Sequence, residues 1–343
     1  MTSAEARTRQ RGAGMDRRRL LVALQIIVAL AASVYVVWLI DWSEAVAVMA
    51  AADPRWFLLA FMLSLIAFIP AALRWVGLLR GMGVGYRLVS GYLAYLTGTF
   101  YSLAMPGVIG GDAARIWLCR RETGARLWLI AASVLTERAL GVAALLVVLS
   151  IGLGLFPAAS RVWVTEAAPF LAVSVLLGVA GFPWLLRRLE TAALPSGYGG
   201  AGAVIRRAGT WLLQRLAPVK DLGIGPIAIA LSLSLGFQLL DIAVTFAIGQ
   251  ALGLDLNMMV LFVAMPIVYL ATVLPVSPGG LGVREAALVV VLSQFGIAAA
   301  DAALLALAVF LNRVAVGCVG AVQHMAGGVR LSREMRTMRR EDG

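Results

Sequence analysis

The sequence predicts an all-α polytopic membrane protein, built as an inverted repeat in which each half has about three spanning helices and one re-entrant helical hairpin. Three observations carry that expectation. Hydrophobic residues make up 61% of the 343-residue chain and the mean hydropathy is +0.91, far above a soluble domain. Several apolar runs reach the length needed to span a bilayer. Two further runs are broken by Pro-Gly turns and then carry charges at once: Met105–Arg115 reads MPGVIGGDAAR and Pro275–Glu285 reads PVSPGGLGVRE. Proline removes a backbone donor and glycine weakens helix, so neither stretch continues as an unbroken membrane helix. In lipid such backbone persists only where protein or a wet cavity covers it. A matched pair of broken segments points to the substrate site of a transporter.

The elements follow from charge and length. Arg7, Arg9, Arg11, Arg17, Arg18 and Arg19 put residues 1–19 in the cytoplasm, ahead of a first span at Leu20–Ile40. That run is too long for the apolar core of a signal peptide. A loop with Asp41, Glu44 and Asp53 against Arg55 is expected outside, and Trp56–Leu73 returns to a cytoplasmic end at Arg74, Arg80 and Arg87. The first hairpin, near 88–121, has a leading arm Leu88–Leu103 dotted with Tyr92, Tyr95, Thr97, Thr99, Tyr101 and Ser102. Its trailing arm, Asp112 to Arg121, covers only about 15 Å, half a bilayer. A hairpin that enters from and returns to the cytoplasm keeps Arg120, Arg121 and Arg126 inside. Leu127–Phe156 then runs outward and closes a first half at 20–156.

The second half, 167–326, opens with a span at Ala167–Leu186. A basic cytoplasmic linker follows at 187–221. Within it Val204, Ile205, Ala208, Trp211, Leu212 and Leu216 recur at helical spacing among arginines, as in an interfacial amphipathic helix. Ile224–Leu252 leads out. A hairpin near 258–295, with arms Met258–Leu274 and Val283–Phe295, opens outside, and Ala302–Met325 comes back to the basic cytoplasmic tail at 327–343. Pro106 and Pro278, like Gly110 and Gly282, stand 172 residues apart, and Arg138 and Arg313 stand 175 apart.

Composition also excludes several functions. The net charge of +11 sits mostly between the apolar runs, where it sets topology, so no nucleic-acid partner is expected. Cys119 and Cys318 have no paired spacing and His324 is the only histidine, so neither a metal nor a cofactor is expected. The chain has no Walker-type phosphate loop and no nucleophile–His–acid set, which argues against an enzyme.

The candidate site residues are charged groups at the breaks and at depth. Arg138 and Arg313 lie about 15–20 Å into their helices, where a charge faces a partner or a wet cavity. Each is either structurally paired, with Glu137 or Glu285, or placed for an anionic ligand. Asp112 begins a helix and suits either an N-cap or the site itself. Arg115 and Arg284 sit in the first turns after the breaks, where helix N-termini favour anions. The hairpin tips are Pro106, Gly107, Gly110 and Gly111 in one half and Pro278, Gly279, Gly280 and Gly282 in the other. Asp241, with Gln238 one turn earlier, either bonds a neighbouring helix or takes part in proton coupling.

At these residues the chain resembles the membrane-embedded part of lysylphosphatidylglycerol synthases and their stand-alone, flippase-like relatives. The resemblance rests on PGxxGGDxxR at Pro106–Arg115, ERxxG at Glu137–Gly141, PxSPGGLGxRE at Pro275–Glu285 and the late Arg313, and covers roughly Leu20 to Met325. It implies movement of a lipid between leaflets, by a member without the aminoacyl-transferase domain. The expected function is a flippase in the inner membrane for an anionic or glycosylated lipid, with both termini cytoplasmic. The lipid itself and a lipid-synthesis enzyme are the expected partners. The rival readings are an intramembrane lipid-modifying enzyme, with Glu137 or Asp112 as base, and a non-transporting scaffold for lipid synthesis.

Overall fold

Apolar runs of this length have no route to satisfy their backbone in lipid except as helices. The computed structural model describes residues 30–40, 42–104, 110–155, 222–273 and 282–341, with 27 and 219; at 44, 104, 273 and 327–341 only the helix backbone is described. Every regular element among them is a helix. They are α1 (Leu30–Leu39), α2 (Trp42–Ala51), α3 (Pro54–Gly81), α4 (Leu88–Ala104), α5 (Gly110–Thr123), α6 (Leu127–Leu155), α7 (Ile224–Ala251), α8 (Met258–Val273), α9 (Val283–Ser293) and α10 (Ala299–Glu341). Among the described residues four stretches are long and apolar enough to cross a membrane: α3, α6, α7 and the Ala299–Ala326 part of α10. This is a membrane protein of several apolar helices.

Local chemistry sets the helix ends. Asp53 caps α3 by accepting from the Arg55 N–H at 2.9 Å, with Pro54 in the first turn where its missing donor costs nothing. Leu58, Met62, Ile66, Ile69 and Leu73 stay exposed at helical spacing along α3, a stripe suited to lipid tails. The opposite face packs most extensively on α7.

Two helix pairs sit against this frame. α4 and α5 run antiparallel, with Ser90 donating to Glu122 at 2.8 Å near one end and Gly98 lying against Gly111 nearer the other. α8 and α9 form the second pair. α4 packs on α10 and α8 packs on α6. Small residues let these backbones approach. A Cβ on Gly111 would lie 2.6 Å from the Gly98 carbonyl oxygen, one on Gly152 would lie 2.8 Å from that of Phe262, and one on Gly320 would collide with that of Leu96.

The structure differs from the sequence expectation in two described places. Residues 42–51 form helix α2 rather than a loop, because Ala45–Ala51 is apolar throughout. α3 runs on to Gly81, so Arg74 lies inside a helix instead of at a membrane edge. The expected span at Ala167–Leu186, the linker and amphipathic helix at 187–221 and the N-terminal 1–19 lie outside the described residues.

Candidate functional site

Charged side chains from six helices, α3, α5, α6, α7, α9 and α10, form two facing clusters. Glu137 on α6 is the hub of the first cluster and is 4% exposed. Its Oε1 accepts from Arg74 of α3 at 2.5 Å and from the Tyr95 hydroxyl of α4, and its Oε2 accepts from Arg115 of α5 at 3.1 Å. Arg115 also donates to Asp112 at 2.5 Å, one helical turn away. The other oxygen of Asp112 accepts from Arg138, whose Nε lies at 2.7 Å. Aromatic faces complete the enclosure: the Arg115 guanidinium carbon is 4.2 Å from the Tyr95 ring centroid and 5.0 Å from that of Trp75. Trp75 is itself fixed by donation to Ser133 at 3.1 Å. Arg74 donates to Ser234 on α7 at 2.8 Å, tying α3 to α7, while its Nε is a buried donor with no partner among the described residues.

A second, sparser cluster faces the first. The Tyr269 hydroxyl on α8 donates to Asp241 on α7 and accepts from Arg284 on α9. The Arg284 guanidinium carbon lies 4.5 Å from the Tyr269 ring centroid. Arg313 on α10 donates at 3.4 Å to Ser102 on α4, and its neighbour Asn312 donates to Ser64 on α3 at 2.8 Å.

Between the clusters is a cavity of about 320 Å³ lined by Asp112, Arg115, Arg138, Arg284 and Arg313, with Thr99, Ser102, Tyr95 and Tyr269 among its other walls. A smaller cavity of about 220 Å³ shares Tyr269, Arg284 and Arg313 and reaches Asp241, Ser64 and Asn312. Four guanidiniums and one carboxylate on a single cavity favour an anion, because arginine presents paired donors to oxyanions.

The structure thus brings Asp112, Arg115, Arg138, Arg284 and Arg313 to one place, from segments far apart in the chain. Glu137 lies behind that surface, fully engaged by its three donors. Asp112 falls in the first turn of α5 and its oxygens go to arginines. Glu285 does not line the cavity; it accepts from the Gly282 N–H at 2.7 Å and closes the start of α9. Gly282 has φ 75° and Gly110 does not have positive φ. Gly111 lines the cavity. Pro106, Gly107, Pro278, Gly279 and Gly280 lie outside the described residues.

Sequence reasoning missed Arg74, Ser234 and Tyr269. Arg74 had a signal, since Trp75–Leu79 continues the apolar run past it and a helix end there would expose those residues. Tyr269 had none: it stands in an otherwise apolar segment, and its partner is 28 residues earlier.

Helices of spanning length around a cationic cavity mark a membrane protein of several apolar helices with a site suited to anions. The chain belongs to the family described as the lysylphosphatidylglycerol synthase TM region, whose model it matches over residues 25–320. Membership ties it to the handling of membrane lipids. A comparison with curated proteins found no match.

Proposed function

We propose that this protein is a flippase, moving a lipid with an anionic or glycosylated head across the inner membrane through the central cavity while the tails stay in the bilayer. The observation that carries this reading is the cavity itself, with four arginines converging on it from α5, α6, α9 and α10. An arginine at that depth is costly without an anion or a partner. The inverted repeat supplies the architecture. Exchanging α3 with α7, α4–α5 with α8–α9 and α6 with α10 turns each main packing pair into another one that is present: α4 on α10 becomes α8 on α6, and α3 on α7 becomes itself. On this reading the two pairs are re-entrant hairpins. α5, with 14 residues, is about 21 Å long and α9, with 11, about 16 Å, both short of a bilayer's roughly 30 Å core. Both termini are then cytoplasmic. No nucleotide is required, because moving one negative charge outward across an inside-negative potential of 100 mV releases about 2.3 kcal/mol. A partner that makes or uses the lipid fits this role.

The enzymatic alternative is less well supported by the geometry. A general base must gain a proton readily, and the two guanidiniums on Glu137 stabilise its anion and weaken it as a base.

The test is reconstitution of the purified protein into vesicles with phosphatidic acid labelled by a fluorophore on its acyl chain, or with a labelled glycolipid. An impermeant reductant should bleach the inner leaflet as well as the outer in vesicles carrying the protein. Bleaching no deeper than in protein-free vesicles for both lipids would reject transport, and a product of altered mass would move the reading to the enzyme.

A further inference from the structure

The two walls of the central cavity carry versions of one device. In each, a tyrosine on the first arm of a helix pair lies against the arginine of the second arm, and its hydroxyl donates to a carboxylate on another helix. On one wall Tyr95 stacks 4.2 Å from the Arg115 guanidinium carbon and bonds Glu137. On the other Tyr269 stacks 4.5 Å from that of Arg284 and bonds Asp241.

What differs is how the arginines are neutralised. Arg115 has carboxylates at 2.5 Å and 3.1 Å, and Arg138 is ion-paired with Asp112. Arg284 instead donates to the Tyr269 hydroxyl and Arg313 to Ser102, and among the described residues neither forms an ion pair. Their nearest acids are occupied elsewhere: Glu285 closes the start of α9, and Asp241 lies beyond the Tyr269 hydroxyl. A guanidinium has five N–H donors in a fixed fork, and among the described residues each of these arginines has one side-chain acceptor, Tyr269 for Arg284 and Ser102 for Arg313.

We propose, resting on the transport reading above, that a phosphate-ester oxyanion of the lipid binds the Arg284–Arg313 wall, and that the ion-paired Arg115–Arg138 wall does not hold it. Tyr269 is the positioning residue of this subsite. Its hydroxyl hydrogen is committed to Asp241, which leaves its oxygen to accept from Arg284 and fix the fork. Arg284 and Arg313 also line the smaller cavity, so the oxyanion sits at the partition between the two chambers.

Binding to the full-length protein in nanodiscs of neutral lipid tests this, using short-chain phosphatidic acid, inorganic phosphate and diacylglycerol with the same chains as probes. Phosphatidic acid should bind, with phosphate a weaker competitor for the same residues. Phosphate that binds as tightly as the lipid would instead assign the subsite to a free anion. Arg284→Gln and Arg313→Gln should each weaken binding about tenfold or more, as expected for lost charge-assisted hydrogen bonds, with Arg284→Lys recovering part. Asp112→Asn with Arg138→Gln should weaken binding less than Arg284→Gln does, because Arg138 already has a carboxylate partner in the free protein. Tyr269→Phe should weaken binding in the wild-type background and have no further effect in Arg284→Gln, the signature of a residue acting through another. Losses in Asp112→Asn/Arg138→Gln as large as those in Arg284→Gln would overturn the assignment to one wall while leaving transport intact. Wild-type protein that binds diacylglycerol as well as phosphatidic acid would overturn the anion reading beneath it.

Discussion

The walls formed by α4–α5–α6 and by α7–α8–α9–α10 use the same residue types to different ends. Around Glu137 three donors from three helices close on one carboxylate, and that residue is 4% exposed. Around Tyr269 a phenol stands where the first wall has a second carboxylate contact, and the arginines remain open to a cavity. The difference teaches that charge in a membrane interior is not one signal. A compensated cluster locks helices, and an uncompensated one waits for a ligand.

Removing the acid on each side should therefore have unequal effects on the fold. Glu137→Gln leaves Arg74 and Arg115 buried without their shared carboxylate, a loss of about 3–5 kcal/mol for a broken buried pair. Asp241→Asn keeps an oxygen to accept from Tyr269 and should cost about 1 kcal/mol, the scale of one weakened hydrogen bond. Unfolding of both variants in mixed micelles checks this, and similar losses would mean that the second wall is as structural as the first.

The glycines sharpen the comparison at a smaller scale. Gly282 has φ 75°, so Gly282→Val should cost about 1–3 kcal/mol in backbone strain. On the first wall the constrained glycine is Gly111, whose Cβ would lie 2.6 Å from the Gly98 oxygen, and Gly111→Val should push α4 and α5 apart. Gly154, where an added Cβ would meet nothing within 4 Å, is the reference position, and Gly154→Val should leave melting temperature and transport unchanged. A Gly282→Val protein as stable as the reference would remove the strain argument.

How much of this could be read in the sequence depends on how far apart the partners lie. The extent of α7 and the starts of α4, α6, α8 and α9 follow from apolar runs bounded by Pro, Gly, Asn or arginine, and they match the expected bounds within a few residues. Arg138 and Arg313 stand out because a charge that deep in an apolar run has few explanations. The ion pair of Arg74 with Glu137 was hidden for the opposite reason, since Arg74 reads as the first of a cytoplasmic basic series with Arg80 and Arg87. The 172-residue spacing made Gly110 the counterpart of Gly282, but of these two the positive φ is at Gly282. Spacing pairs positions along the chain. It does not report which member of a pair has its charge compensated.

Translocation by two charge-altered proteins compares the walls most directly. Vesicles carrying Asp112→Asn/Arg138→Gln and vesicles carrying Arg284→Gln/Arg313→Gln would be assayed side by side with fluorescent phosphatidic acid, after confirming that both proteins remain folded. The first is expected to keep transport clearly above protein-free vesicles, because the arginine it removes is already paired with Asp112, and the second to move none above them. Equal rates in the two, whether both high or both lost, would contradict a division of the cavity into a locked wall and a binding wall.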